Sequence, residues 1–392
     1  MKMRTKNSNA PKKGSSHKKW AIGFSIAAVV IWVFYTYIMY NLPDGPQTIF
    51  QNWLPPTTVN ESLVWVICAL GLNIVVGYAG LLDLGFVAFW AIGGYSAGWF
   101  MSAFFRQVNF HFLSPSDAAK QPGIHLTFWG VLIVGGIICA MFGIIIGAPT
   151  LRLKSDYLAL VTLGFGEIIP QFFTNGENIG GFNLSNGTKG ISPIDNVAVP
   201  GKILGPFDFS WKFSIFVFLT AVMVFVSLRL RKGRLGRAWL AIREDELAAS
   251  MMGVPLMTTK LAAYAVGAFS GGVGGVAFAT HVNGVFADRF NFSISIILLA
   301  MVVLGGMGNV WGVMVGALLL AWINSTGLPA FGDLVNNTFH TAINFPSYNF
   351  LLFGGALIFM MLFKREGLIP ESRLKAILHE GDDTTSNVGG AH

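Results

Sequence analysis

Residues 229–279 read RLRKGRLGRAWLAIREDELAASMMGVPLMTTKLAAYAVGAFSGGVGGVAFA. The first half of this stretch holds most of the chain's strong internal charge, and the second half is largely Gly, Ala and Phe. Between Arg234 and Met252 there is no Pro and one Gly, Gly236, and helix is favoured from Ala238 onward. Gly253 ends it and Pro255 follows, the usual order at a helix C-terminus. Trp239, Leu240, Ile242, Leu247 and Met251 supply apolar contacts, while Arg237, Arg243, Glu244, Asp245 and Glu246 keep the segment wet. Ala248, Ala249 and Gly253 leave the helix end free of bulk, so it can lie close in a partner's groove. A charged helix of this kind beside a membrane span either touches a soluble protein or lies on anionic lipid. Three consecutive acids, Glu244 to Glu246, are repelled by such lipid, which favours a protein partner.

The rest of the chain is a membrane sequence. Hydrophobic residues make up 53% of the 392 and charged residues 11%, against about 25% charged in soluble domains. The 47 glycines suit spans that pack through small residues. A net charge of +7 would suggest nucleic acid in a soluble protein; here the basic residues sit between apolar runs and read as cytoplasmic anchors. Cys68 and Cys139 both fall in apolar stretches and read as small core hydrophobes, neither disulfide nor metal ligand.

Apolar runs near the 20 residues a bilayer requires recur at 20–40, 62–81, 84–105, 126–149, 156–173, 212–230, 259–280, 290–306, 310–326 and 348–364. The expected fold is an all-α integral membrane protein of about ten transmembrane helices with both termini cytoplasmic. With the N-terminus inside, 20 of the 26 Lys and Arg residues fall on the cytoplasmic side, as the positive-inside rule asks. Residues 1–19 form a basic cytoplasmic tail; its apolar neighbour is longer than a signal peptide's core and is retained as the first span. Residues 20–370 form the membrane domain, with 231–258 as the cytoplasmic insert and 174–210 as a long outer loop without helix pattern. Residues 106–125 read as an ordinary outer loop, and 371–392 as a cytoplasmic tail with a disordered end. The links at 82–83 and 307–309 are so short that they predict tight helical hairpins. Span 156–173 is interrupted by Asp156, Glu167 and Pro170.

No Gly-x-x-x-x-Gly-Lys-Ser/Thr loop occurs, so nucleotide binding of that mode is excluded, and there is no His-Glu-x-x-His, Cys-x-x-Cys or Gly-x-Ser-x-Gly pattern. Nothing points to catalysis or to a cofactor. Two positions carry charge in or between spans. Asp83 lies in the turn YAGLLDLG, where Gly77, Gly80 and Gly85 free the backbone to bend; it either lines a pathway or sits solvated at the inner surface. Glu167 lies inside a span, where an ionisable residue is costly and a role is the default. It either faces a translocation route and contacts a substrate ammonium group, or bonds a neighbouring helix or partner subunit. Gly267, Gly271, Gly272, Gly274 and Gly275 make a face that another helix can approach closely.

Residues 235–279, together with ALGLNIVVGYAGLLDLGFVAFWAIGGY at 69–95, LRLKSDYLALVTLGFGEII at 151–169 and AMVVLGGMGNVWGVMVGA at 299–317, resemble branched-chain amino acid ABC transporter permeases of the LivM type. The resemblance runs from about residue 60 to 370. It implies a permease subunit of a bacterial ABC importer in the inner membrane, without enzymatic activity of its own. It also implies a second homologous permease (a heterodimer), two cytoplasmic ATPase subunits and a periplasmic substrate-binding protein as partners. The importer docking pattern is Glu-Ala-Ala, three residues, then Gly. Ala248, Ala249 and Gly253 match it, whereas Leu247 stands in the acid's place and Glu246 one position earlier. The ATPase-docking residues implied are Arg237, Arg243, Glu246, Ala248, Ala249 and Gly253; the translocation pathway is placed at Gly77, Gly80, Asp83, Gly85 and Glu167. Urea or short-amide uptake by a related permease is the alternative, and an ion-coupled secondary transporter is the rival from another class.

Overall fold

The computed structural model describes residues 15–38, 43–113, 115, 121–153, 155–199, 202–205, 208–340, 344–363 and 367–369. The N-terminal tail through residue 14 and the C-terminal tail from 371 lie outside them. Helices dominate. In chain order they are α1 (Ser15–Val33), α2 (Asp44–Trp53), α3 (Pro56–Leu72), α4 (Phe86–Phe100), α5 (Phe128–Thr150), α6 (Ser155–Thr174), α7 (Phe209–Lys232), α8 (Arg234–Glu244), α9 (Glu246–Met251), α10 (Leu256–Val282), α11 (Phe292–Gly305), α12 (Val310–Trp322), α13 (Leu328–Phe339) and α14 (Asn349–Phe363). Among the described residues seven helical stretches are long and apolar enough to cross a membrane: Phe50–Tyr78, Phe128–Thr150, Tyr157–Thr174, Phe209–Lys232, Leu256–Val282, Ala287–Gly305 and Val310–Phe339. Two more, Ile22–Ile38 and Phe345–Met360, are shorter.

Several boundaries differ from the hydropathy reading. The run expected at 84–105 contracts to the 15 residues of α4. The two-residue hairpin at 82–83 is a seven-residue irregular link, 79–85, that turns through Gly80 at φ +69°. α3 reaches back to Pro56, and α2 precedes it where no helix was read. α6 runs unbroken past Pro170, where the Thr174 hydroxyl donates to the Pro170 carbonyl at 3.0 Å. The segments expected as outer loops are not featureless either. β1 (Met101–Ser102), β3 (Ile124–Leu126) and β2 (Phe110–Phe112) form a small mixed sheet, and β4 (Val197–Val199) pairs antiparallel with β5 (Lys202–Leu204). β1 continues directly from α4 and is buried; in both sheets short segments satisfy their backbone groups by pairing.

α10 is the centre of the bundle and packs on α5, α4 and α3. The glycines of its second half explain how. A Cβ at Gly275 would overlap the Trp90 carbonyl oxygen, and one on Gly93 of α4 would overlap Gly272. The helices therefore meet backbone to backbone, and dispersion between close-packed atoms holds them. Cys68 and Cys139 are buried and free; each fills space against a glycine of α10, Gly274 and Gly272 respectively. The expected outcome for Gly275→Val is loss of the folded peak in detergent size-exclusion chromatography, since overpacking against rigid backbone costs more than the roughly 1–3 kcal/mol of ordinary core cases. Gly354→Ala, where nothing lies within 4 Å of the added carbon, should leave that peak unchanged.

Candidate docking and translocation site

The charged insert begins where α7 ends with Arg229, Arg231 and Lys232 in its last turn, cations placed against the negative end of the helix dipole. Gly236 lets α8 fold tightly onto that end, because a Cβ there would overlap the Leu230 and Arg231 carbonyls. α8 buries Trp239 and Ile242. The indole Nε1 of Trp239, 0% exposed, donates to the Thr259 carbonyl at 2.7 Å, fastening α8 to the first turn of α10.

The insert is two helices, not the single one expected. Asp245 leaves the helical region (φ −156°, ψ 113°), and its carboxylate accepts from the Ala248 N–H at 3.0 Å. That is an N-cap, favoured for Asp because it satisfies an orphan donor. α9 then runs for six residues and closes on Gly253 at φ +83°. The Val254 N–H reaches the Ala249 carbonyl and the Gly253 N–H the Ser250 carbonyl, at 3.1 and 3.0 Å. This paired closure is a Schellman motif, which selects glycine at its left-handed position.

The tip so formed projects apolar side chains into solvent. Leu247, Met251 and Met252 are 67%, 79% and 85% exposed, rimmed by exposed Glu244, Asp245, Glu246 and Ala248. Leu247 and Met251 thus do not serve α9's own packing. Ala249 is the reverse case: it is buried against its own chain and cannot line a partner's groove. Arg237 is exposed, and its guanidinium returns to the Lys232 carbonyl at 3.1 Å.

Three side chains tie this tip to the bundle. Trp239 is one. Glu246, half in solvent, pairs with the buried Lys260 of α10 at 2.5 Å. Arg243 donates to the Gly77 carbonyl. That carbonyl is open because α3 ends in a π-helical turn over Asn73–Tyr78, where the Ala79 and Leu81 N–H groups reach back to Ile74 and Val75. Gly80 lies directly beneath Arg243, whose Cγ would stand 2.8 Å from an added Cβ. Gly77 and Gly80 thus meet α8 at Arg243, while Asp83 and Gly85 lie further along the same link.

Asp83 is 1% exposed and accepts from the Gly85 N–H at 2.9 Å, so it is not solvated at the inner surface. Gly85 presses on the Thr162 carbonyl of α6, and the Leu84 N–H bonds the Thr162 hydroxyl at 3.1 Å. The Asn73 side-chain oxygen accepts from the Gly308 N–H at 2.8 Å, joining this link to the 306–309 turn. Glu167 stands apart. Its neighbour Gly166 packs on Gly85, while Glu167 itself is exposed on α6 with Gln171, Phe172 and Asn175. Sequence reasoning missed Trp239, Lys260, Asn73 and Thr162 as connectors; their types were visible, but only the fold reveals their partners. Among the described residues no cluster of His, Cys, Asp and Glu could hold a metal ion.

A cavity of about 560 Å³ opens between the 102–106 and 183–196 segments, lined in part by Arg106, Asn183, Asn186, Asp195 and Asn283. His125 of β3, buried, hydrogen-bonds Asp195 through Nδ1 at 2.7 Å and ties β3 to the 183–196 segment.

The family described as the permease component of the branched-chain amino acid transport system matches residues 56–362. The high-affinity branched-chain amino acid transport system permease protein LivM of Escherichia coli (strain K12) is 34% identical over 341 residues, 82% of this chain and 71% of that protein. The probable branched-chain amino acid transport permease protein LivM of Methanocaldococcus jannaschii is 27% identical, covering 79% of this chain and 91% of its own length. A nucleoside ABC transporter permease protein, NupC of Lactococcus lactis, is 27% identical over 51% of the chain and 63% of its own length. No solved structure matches. With a family model spanning most of its helices and a LivM relative at 34% identity, this chain belongs to the branched-chain amino acid transport permease family.

Proposed function

We propose that the chain is a membrane-spanning subunit of an ATP-driven importer of leucine, isoleucine and valine, lying in the inner membrane as ten crossings with both termini cytoplasmic. Two ATPase subunits seat on α8–α9, a second homologous permease completes the membrane pair, and a periplasmic binding protein delivers solute to the outer face. The observation that carries the reading is the α9 tip: three apolar side chains held in solvent on a helix fastened to α3 and α10. A monomer has no reason to display them there, and a motor needs both the contact and the fastening. The docking contacts are assigned to Glu246, Ala248 and Gly253 together with Leu247, Met251 and Met252, with Arg237 at the edge. Arg243 and the Gly77–Gly85 link transmit motion into the bundle, and Glu167 lines the solute's route. The outer cavity, tied by His125 and Asp195, is the surface against which the binding protein delivers its load.

The test is reconstitution in vesicles with candidate partners. Leucine uptake should require ATP and the ATPase subunits, and excess isoleucine or valine should suppress it while urea or a nucleoside does not. Full-rate transport by this chain alone would sink the reading.

A further inference from the structure

The 306–309 turn between α11 and α12 is held from several sides. α11 ends at Gly305, and the last carbonyls of a helix have no partner within it. Two of them are taken by a segment far along the chain. The Leu368 N–H donates to the Leu304 carbonyl at 2.8 Å, and the Ile369 N–H to the Gly305 carbonyl at 3.2 Å. Asn309 then opens α12. Its side-chain oxygen accepts from the Trp311 N–H at 3.2 Å as an N-cap, and its amide nitrogen donates to the Ile369 carbonyl at 2.9 Å. The fit requires glycine at 367, which turns at φ +82°; a Cβ there would stand 2.5 Å from the Gly306 Cα. Trp20 of α1 also stacks on Trp311, at 6.4 Å between ring centres.

The same turn meets the anchor of the charged insert. The Gly308 N–H donates to the Asn73 side-chain oxygen, and a Cβ on Gly77 would stand 2.7 Å from the Gly308 nitrogen. Gly77 is the residue whose carbonyl Arg243 holds. α14, which precedes the 367–369 segment, packs on α11 and leaves Leu351, Ile358 and Phe359 exposed. The segment after a peripheral helix is thus bonded to the turn that touches the α3 end of the Arg243 fastening. Capping α11 needs only the two backbone donors. The bond from Asn309 does something further, because it ties α12 to the same segment and makes turn and segment one unit.

We propose that Asn309 is a positioning residue in transport: its bond to Ile369 makes the 306–309 turn a firm stop, against which the Asn73–Gly77 turn of α3 bears when the insert is pulled. The proposal rests on the importer reading above. With the stop in place, displacement at Gly77 passes into α11 and α12. Without it the turn gives way and absorbs the displacement. The 367–369 segment then belongs to the transport machinery and not only to the end of the fold.

The test uses the complex reconstituted with its partners and reads leucine uptake per ATP hydrolysed. Asn309→Ser keeps a capping oxygen for the Trp311 N–H and loses the donor to Ile369. The expected result is a normal size-exclusion peak, ATPases bound, and a ratio lowered roughly threefold to tenfold, the leverage of one neutral hydrogen bond on an equilibrium. Should Asn309→Ser lose the folded peak, Asn309→Asp, which also caps without an amide donor, is read in its place. A chain ending at Pro370 should keep the full ratio, and one ending at Glu366, which lacks the segment, should lose it. Adding Asn309→Ser to the shorter chain should then lower the ratio no further, because both changes remove the same bond. An unchanged ratio in the Asn309 variant overturns the proposal. So does an additive loss in the combined variant, or an equal loss in the chains ending at Pro370 and Glu366. Absence of ATP-dependent uptake by the unsubstituted complex instead overturns the importer reading, and the positioning role with it.

Discussion

A chain carrying Leu247→Asp with Met251→Asp is expected to insert and fold normally yet lose its ATPase subunits on purification. The two positions are four apart and share one side of α9, and both are well exposed, so the chain alone gives up little when they change. Their burial in a partner's groove is a different matter. Each side chain of this size contributes about 1.5–3 kcal/mol when removed from water, and a carboxylate in its place must be desolvated as well. Even after discounting for the non-additivity of interface contacts, a loss of two to three powers of ten in affinity follows. Gly253→Asp should act in the same direction by a second mechanism. The φ of +83° is strained for any side chain, at roughly 1–2 kcal/mol, so the paired closure of α9 loosens and the tip loses its shape. Gly253→Ala separates the two causes, since it carries the strain without the charge. Stoichiometric ATPase in the eluate of the double Asp variant would place the docking surface elsewhere.

The features legible in the sequence are those set by long runs of composition. Spans could be read because twenty apolar residues admit few other fates, and the insert because charge interrupts them. Features set by one side chain and its partner could not be read. The break at Asp245 depends on a carboxylate choosing the Ala248 N–H, whereas helix propensity alone continues through it. The 79–85 link is as apolar as the helices beside it, so hydropathy does not mark its seven residues as irregular; the mark is Gly80 at positive φ beneath Arg243. Asp83 looked like a surface or pore charge because sequence shows its sign and not its burial. With Glu167 the cost of charge in a span was evident, but the direction it faces is decided by which side of α6 meets Gly85 and Leu84. The Ala-Ala-Gly pattern pointed to α9 and its closing turn as the docking segment proposed above. It could not tell that Ala249 turns inward while Met252 turns out.

Arg243→Met should produce the opposite dissociation of effects: ATPases that remain bound and hydrolyse ATP while leucine uptake falls tenfold or more. The Met side chain keeps an apolar stem over Gly80, where the Arg243 methylenes now lie, and removes only the guanidinium that holds the Gly77 carbonyl. Docking geometry is retained by the other two fastenings, the Trp239–Thr259 hydrogen bond and the Glu246–Lys260 pair. A hydrogen bond from a charged donor contributes about 1.5–3 kcal/mol, which is a factor of roughly ten to a hundred in any equilibrium it biases. The Gly77 end of that bond is also the junction of the bundle. From there Asn73 reaches the 306–309 turn, and the 79–85 link reaches Thr162 of α6, the helix that bears Glu167. A motor pulling on α8–α9 without this bond still moves α10 through Trp239 and Lys260, but loses its direct hold on the Gly77 carbonyl and the link that leads to α6. Arg243→Lys tests the same point more finely: a single ammonium can reach one carbonyl but lacks the guanidinium's planar reach, so partial coupling is expected. Uptake per ATP hydrolysed is the deciding quantity. If Arg243→Met leaves that ratio unchanged, force reaches the bundle through α10 alone, and the α3 link is a hinge support with no part in transmission.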